Sequence, residues 1–60
     1  MPISGKEMLK LALANGWVLL RVKGSHHILE KDGRRLIVPV HGNAALKKGL
    51  ELSLRKQIGV

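Results

Sequence analysis

Residues 17–40 read WVLLRVKGSHHILEKDGRRLIVPV, and their spacing decides the fold. Three apolar runs are separated by two turn signals. Asp32-Gly33 is the stronger one, because a type I′ turn needs positive φ at both central positions and Asp-Gly accepts it. Gly24-Ser25 marks the other turn. The runs between them predict three strands, over residues 17–23, 26–31 and 35–40. In the first, Val18, Leu20 and Val22 are expected on one face, and Trp17, Leu19, Arg21 and Lys23 on the other. In the third, Leu36, Val38 and Val40 alternate with Arg35, Ile37 and Pro39. Pro39 has no N–H to give to a ladder, so this strand ends there or lies at a sheet edge.

Helical patterns flank the strands. Ser4-Gly5-Lys6-Glu7 is a capping box, and Ile3 is placed to staple onto Met8. Met8, Leu11 and Ala12, widened by Leu9 and Leu13, follow helical spacing as far as Asn15-Gly16, which ends the helix. Beyond the strands, His41-Gly42-Asn43 reads as a loop. From Ala44 to Gly59 the pattern is again helical, with Leu46, Leu50, Leu54 and Ile58 at steps of four. Gly49 would cost about 1 kcal/mol relative to Ala in a helix interior, so the main helix is expected to begin near it. Gly59 suits the end, with Arg55 and Lys56 favourably placed in the helix dipole. The connections are short enough for an antiparallel meander. The expected fold is α+β, in the order α-β-β-β-α, with a three-stranded antiparallel sheet and two helices on one face.

Sixty residues hold one domain, spanning 1–60. Without cysteine there is no disulfide and no thiolate zinc site, which fits a reducing compartment. The start, Met1-Pro2-Ile3-Ser4-Gly5-Lys6, has no apolar segment of signal-peptide length, and no later run would span a bilayer. A cytoplasmic location is expected. Eleven Lys and Arg stand against four Asp and Glu, a net charge of +7. Such an excess points to a polyanion, nucleic acid before anionic membrane. Trp17 stands alone, with no Phe or Tyr, which disfavours a platform stacking several bases and directs contacts mainly to phosphate and sugar. Trp17 itself reads as a core or sheet-edge anchor. Alternating strands and firm turns favour a folded domain over a membrane-active peptide, so no membrane partner is expected.

The residue types narrow the chemistry. Ser4 is used as a cap, Ser25 sits in a turn and Ser53 lies mid-helix, with no Thr or Cys, so a nucleophilic triad has no support. His26 and His27 diverge on a strand and carboxylates are few. No metal and no small-molecule cofactor is therefore expected. Acid–base work by histidine remains. Imidazole titrates near neutrality, and RNA carries its own nucleophile in the 2′-hydroxyl. Arg21, Lys23, Arg34, Arg35, Lys47 and Lys48 could stabilise a charged phosphorane. The residues alone leave open which histidine would act, or whether both merely pack on the sheet.

Three segments, NGWVLLRVKGSHH, KDGRRLIVPVHGNAALKKG and LRKQIGV, resemble the HicA toxin family from about Gly5 to the last residue. The specific elements are Gly-Trp, Gly-Ser-x-His, Val-Pro-x-His, Lys-Gly and Lys-Gln-x-Gly, in that order. The resemblance implies a domain similar to a double-stranded-RNA-binding domain. It implies a ribonuclease toxin that cleaves mRNA and arrests translation, neutralised by a HicB-like antitoxin that covers the active site. The family's catalytic histidine is that of Gly-Ser-x-His, which falls on His27. Gly24 and Ser25 become the turn that presents it, and His26 takes the variable position. With Gly24 and Ser25 of that turn, Lys23, Arg34, Arg35, Lys47 and Lys48 become, on position and charge, candidate RNA contacts. His41, at the family's Val-Pro-x-His position, is either a phosphate contact or a loop hydrogen bond. The family follows Lys-Gly with a threonine and an apolar residue, where this chain has Leu50 and Glu51. A lost threonine cap costs about 1 kcal/mol, and Glu51 stands where a core side chain is expected. The alternative is a non-catalytic double-stranded-RNA-binding module, since Ala44 to Lys48 is similar to the basic start of that module's last helix.

Overall fold

The computed structural model describes residues 3–60. Met1 and Pro2, at the start of the segment judged not to be a signal peptide, lie outside the described residues. Helix α1 spans Gly5–Ala14, strands β1, β2 and β3 span Val18–Lys23, His26–Lys31 and Arg34–Pro39, and helix α2 spans Lys48–Ile58. The strands form one antiparallel sheet in the order β1-β2-β3. β3 starts and stops one residue earlier than the alternation suggested, with Pro39 as its last residue, opposite His26.

Local chemistry accounts for each boundary. Asp32 and Gly33 both take positive φ, 51° and 77°, as a type I′ turn demands. At the other turn Gly24 has φ of 59° while Ser25 does not enter the left-handed region, the pattern of a type II′ hairpin. The capping box is made: Glu7 N–H donates to Ser4 Oγ at 3.2 Å and Ser4 N–H donates to Glu7 Oε1 at 3.1 Å. At the other end of α1, Gly16 N–H reaches Leu13 O at 3.2 Å and Trp17 N–H reaches Ala12 O at 3.1 Å. This is a Schellman closure with Gly16 in the left-handed position. Lys31 Nζ donates to Asn15 O at 2.7 Å, a cation from β2 at the negative end of the helix. The closure turns Trp17 into the core, where 3% of it is exposed.

The core lies on one face of the sheet. Leu29, Leu36 and Val38 meet Met8 and Ala12 of α1, Leu54 and Ile58 of α2, and Leu46 just before α2. The expected side assignment in β1 does not hold. A β-bulge between Leu19 and Arg21 inserts Leu20 as an extra residue. Leu19 therefore pairs with Leu29 and Val22 with His27, both on the helix side, while Val18, Arg21 and Lys23 face the open side. Strict alternation assumed one residue per pairing position, and the bulge breaks that count.

α2 also departs from its apolar pattern. It begins at Lys48, and its N-cap, Lys47, makes no side-chain capping bond. Leu50, expected inside, is 39% exposed. Glu51 turns inward instead, as the departure from the family pattern suggested. Its Oε1 accepts the Ile3 N–H at 3.2 Å and its Oε2 accepts Arg55 Nε at 3.2 Å. Beside this contact, Leu46 N–H donates to Ile3 O at 2.9 Å and Ser4 bridges Ala45. The segment before α1 is thus stitched to the segment before α2.

The Ile3 N–H holds the Glu51 pKa below its usual 4.5, and Arg55 adds to this against the opposing effect of burial. A lowered carboxyl pKa stabilises the fold above the unfolded value and loses that contribution as pH falls through the folded one. Glu51→Gln is therefore expected to melt several degrees below the parent at pH 7. The two should converge as pH falls through the lowered folded-state pKa, measured by circular dichroism melts across pH. A constant gap at every pH would remove the charged-carboxylate account.

Candidate functional site

The register separates the two neighbouring histidines. His27 lies between Val22 and Val38 on the helix side of the sheet and is half-buried. His26 lies between Lys23 and Pro39 on the open side and is exposed. The Gly24-Ser25 turn holds His27 as well as presenting it. The Ser25 carbonyl accepts the Val40 N–H at 2.8 Å and lies 3.4 Å from His27 Nδ1. A carbonyl oxygen can only accept, so this hydrogen bond requires the proton on Nδ1. In the neutral ring, Nε2 is then the nitrogen with the free lone pair.

A second contact fixes the Val40 end of this link. Gly5, the first residue of α1, is packed against the end of β3. A methyl group there would overlap the Pro39 carbonyl oxygen and come within 3.0 Å of Pro39 C and Val40 Cα. The bare backbone of Gly5 thereby seats Pro39–Val40, Val40 holds Ser25, and Ser25 meets His27.

The same packing gathers most of the expected site residues at one end of the sheet. Lys23, Gly24, Ser25 and His27 form the β1–β2 hairpin end. His41 follows Val40 directly. Ser4, beside Gly5, bridges Ala45, and so brings the start of α2, with Lys47 and Lys48, to the same end. Lys23, His41, Lys47 and Lys48 are all exposed.

Arg34 and Arg35 are not part of this group. They lie four and three residues before Val38, the β3 partner of His27, which is roughly 10–13 Å at strand rise. Arg34 pairs with Lys31 on the His27 side, but Arg35 is on the open face, 3.9 Å from Glu30 across the strands. Among the described residues no three His, Asp or Glu side chains converge as a metal site, and no helix is long and apolar enough to cross a membrane.

The family model described as "HicA toxin of bacterial toxin-antitoxin" matches residues 5–60. The chain belongs to the HicA toxin family. A chain of a solved structure titled "Toxin-Antitoxin complex from Streptococcus pneumoniae" superposes with a TM-score of 0.80. It is 41% identical, and the alignment covers 98% of this chain and 100% of that one. No curated protein sequence matches. As a HicA-family member the protein is a toxin of a toxin–antitoxin system, and the expected α-β-β-β-α architecture is the one observed.

Two features of this candidate site were not picked out from the sequence: Gly5 and the Val40 N–H. A glycine at the first helical position, where alanine would favour the helix, is itself a sign of close backbone approach. The Val40 bond is a main-chain contact that no side-chain pattern encodes. Helix propensity predicts that Gly5→Ala stabilises by up to about 1 kcal/mol. Overlap with a backbone carbonyl, which cannot rotate away, predicts a loss of about 1–3 kcal/mol, and the steric effect should win. Chemical denaturation should show the loss, and amide correlation spectra should show Ser25 and Val40 displaced. An unperturbed or stabilised variant would mean that the approach is looser than drawn.

Proposed function

We propose that this toxin is a metal-independent endoribonuclease that cleaves mRNA, with His27 as its general acid or base. The observation that supports this most is the presentation of His27. Its ring is half-buried on the sheet, its Nδ1 is turned to the Ser25 carbonyl, and it sits at the end of the molecule where Lys23, Lys47 and Lys48 collect. The family resemblance supports the same residue.

The chemistry needs little more. The RNA 2′-oxygen attacks the adjacent phosphorus as the bond to the 5′-oxygen breaks. The 2′-proton leaves to a base and the 5′-oxygen receives one from an acid. Nε2 can serve either transfer according to its charge. Lys47 and Lys48 stabilise the added negative charge, while His41, and Lys23 from the opposite face of the sheet, hold flanking phosphates. Gly24 and Ser25 shape the turn against which the RNA backbone lies. Arg34 and Arg35 take phosphates further along the strand, away from the scissile one. The reading places the protein in the cytoplasm with its substrate and gives it a HicB-like antitoxin as partner. The structural relative's title, a toxin–antitoxin complex, favours such a partner.

His27→Ala is expected to lower the cleavage rate about 10²–10⁴-fold, while His26→Ala on the open face keeps the parent rate. Single-turnover cleavage of a labelled mRNA, with growth arrest on induction, measures both. Parent-like cleavage by His27→Ala would remove His27 from the reaction. RNA retention that weakens with salt but yields no product would favour the non-catalytic binding module instead.

Cleavage is also expected to survive excess chelator and to leave a 2′,3′-cyclic phosphate, read by mass spectrometry of the fragments. A chelator-sensitive reaction with a plain 5′-phosphate product would require a metal-activated water instead of the 2′-oxygen.

A further inference from the structure

Strand β1 is an edge that the fold leaves bare. All six of its residues, Val18 to Lys23, are exposed. Leu19 and Val22 point to the helix side, yet they are 38% and 51% exposed, because both helices make their main sheet contacts with β3. The outer backbone of β1 has no strand partner among the described residues. Edge strands of this length and apolarity are normally covered, shortened or interrupted by proline. β1 has none of these protections apart from its irregularity at Leu20 and the cations Arg21 and Lys23 on its open side.

We propose that β1 is the docking edge for a strand of the antitoxin, an inference that rests on the toxin–antitoxin reading of this chain. The two faces of β1 specify that strand by charge and hydropathy. Its helix-side residues are apolar and cover Leu19 and Val22. Its open-side residues are acidic and meet Arg21 and Lys23. Main-chain hydrogen bonds supply the pairing and alternate side chains the selectivity. A second copy of this chain does not fit, since it would set Arg21 and Lys23 against like charges on a molecule of net charge +7. RNA would answer the cations but offers no peptide ladder and nothing apolar for Leu19 and Val22.

The test uses the toxin co-expressed and purified with the antitoxin encoded beside it. Hydrogen exchange of the complex, compared with the free toxin, is expected to slow at least about tenfold at β1 amides. Arg21→Glu, at an exposed site that leaves the core intact, is expected to weaken the complex by about tenfold or more and to steepen on-rate loss. Val22→Thr, which keeps the β-branched shape, should weaken it further in combination. A complex that forms with β1 exchange unchanged overturns the docking edge and leaves the toxin reading standing. Failure to form any complex removes the antitoxin-partner reading, and the docking edge with it. Protection of β1 in an RNA complex or in a toxin dimer, without protection by the antitoxin, would also overturn the proposal.

Discussion

The first turn of α1 presses backbone to backbone on the end of β3, and this contact exists only because Gly5 has no side chain. Much of the molecule is arranged by it. It sets the height of α1 over the sheet and hence the depth of Met8 and Ala12 in the core. It also seats Val40, whose N–H holds the Ser25 carbonyl that faces His27. The opposite end of α1 is clamped as firmly, by the Gly16 closure and by the Lys31 ammonium on Asn15. One helix is therefore pinned near each end of β2, with the histidine at one end and the lysine at the other. Neither pin is a large energy term. Each is geometric, and each links the helix to a different strand.

The structure divides its labour by face and by end. Apolar burial is concentrated on the helix side of β2 and β3, while the open face carries exposed Val18 and Ile37 beside charged residues. Lys23, Lys47 and Lys48 lie where the two helix N-termini and the β1–β2 turn meet, while Lys31, Arg34 and Arg35 flank the turn at the other end of the sheet. A net charge of +7 on 60 residues repels itself in the compact state. Anything anionic that binds the folded form relieves that repulsion and stabilises the fold by mass action. A marginal, strongly basic domain of this size is thus expected to be most stable when occupied, whether by substrate or by an acidic partner.

Much of this was legible in the residues. The capping box, the Asp32-Gly33 turn and the Gly59 end are local signals, and all three formed as their chemistry dictates. The opposition of His26 and His27 followed from strand geometry alone. What could not be read was decided by tertiary contact. The side assignment in β1 failed because an extra residue without turn chemistry leaves no mark in an apolar run. Leu50 was expected inside by its spacing, but α2 rotates to bring Glu51 to the Ile3 N–H. The separation of Arg34 and Arg35 from His27 was implicit in the hairpin register, which places the two ends of β3 at opposite ends of the sheet. Charge alone had grouped residues that the fold keeps apart.

The irregularity at Leu20 sets where this chain can change length. The pairs on either side of it, Leu19 with Leu29 and Arg21 with Ile28, are already consecutive on β2. A relative lacking that one residue would keep every other pairing and gain a continuous ladder. The same deletion elsewhere in the strands would turn each following side chain to the wrong face. Insertions and deletions within the sheet should therefore collect at this single position, and β1 can lengthen or shorten there while His27 and its neighbours stay in place.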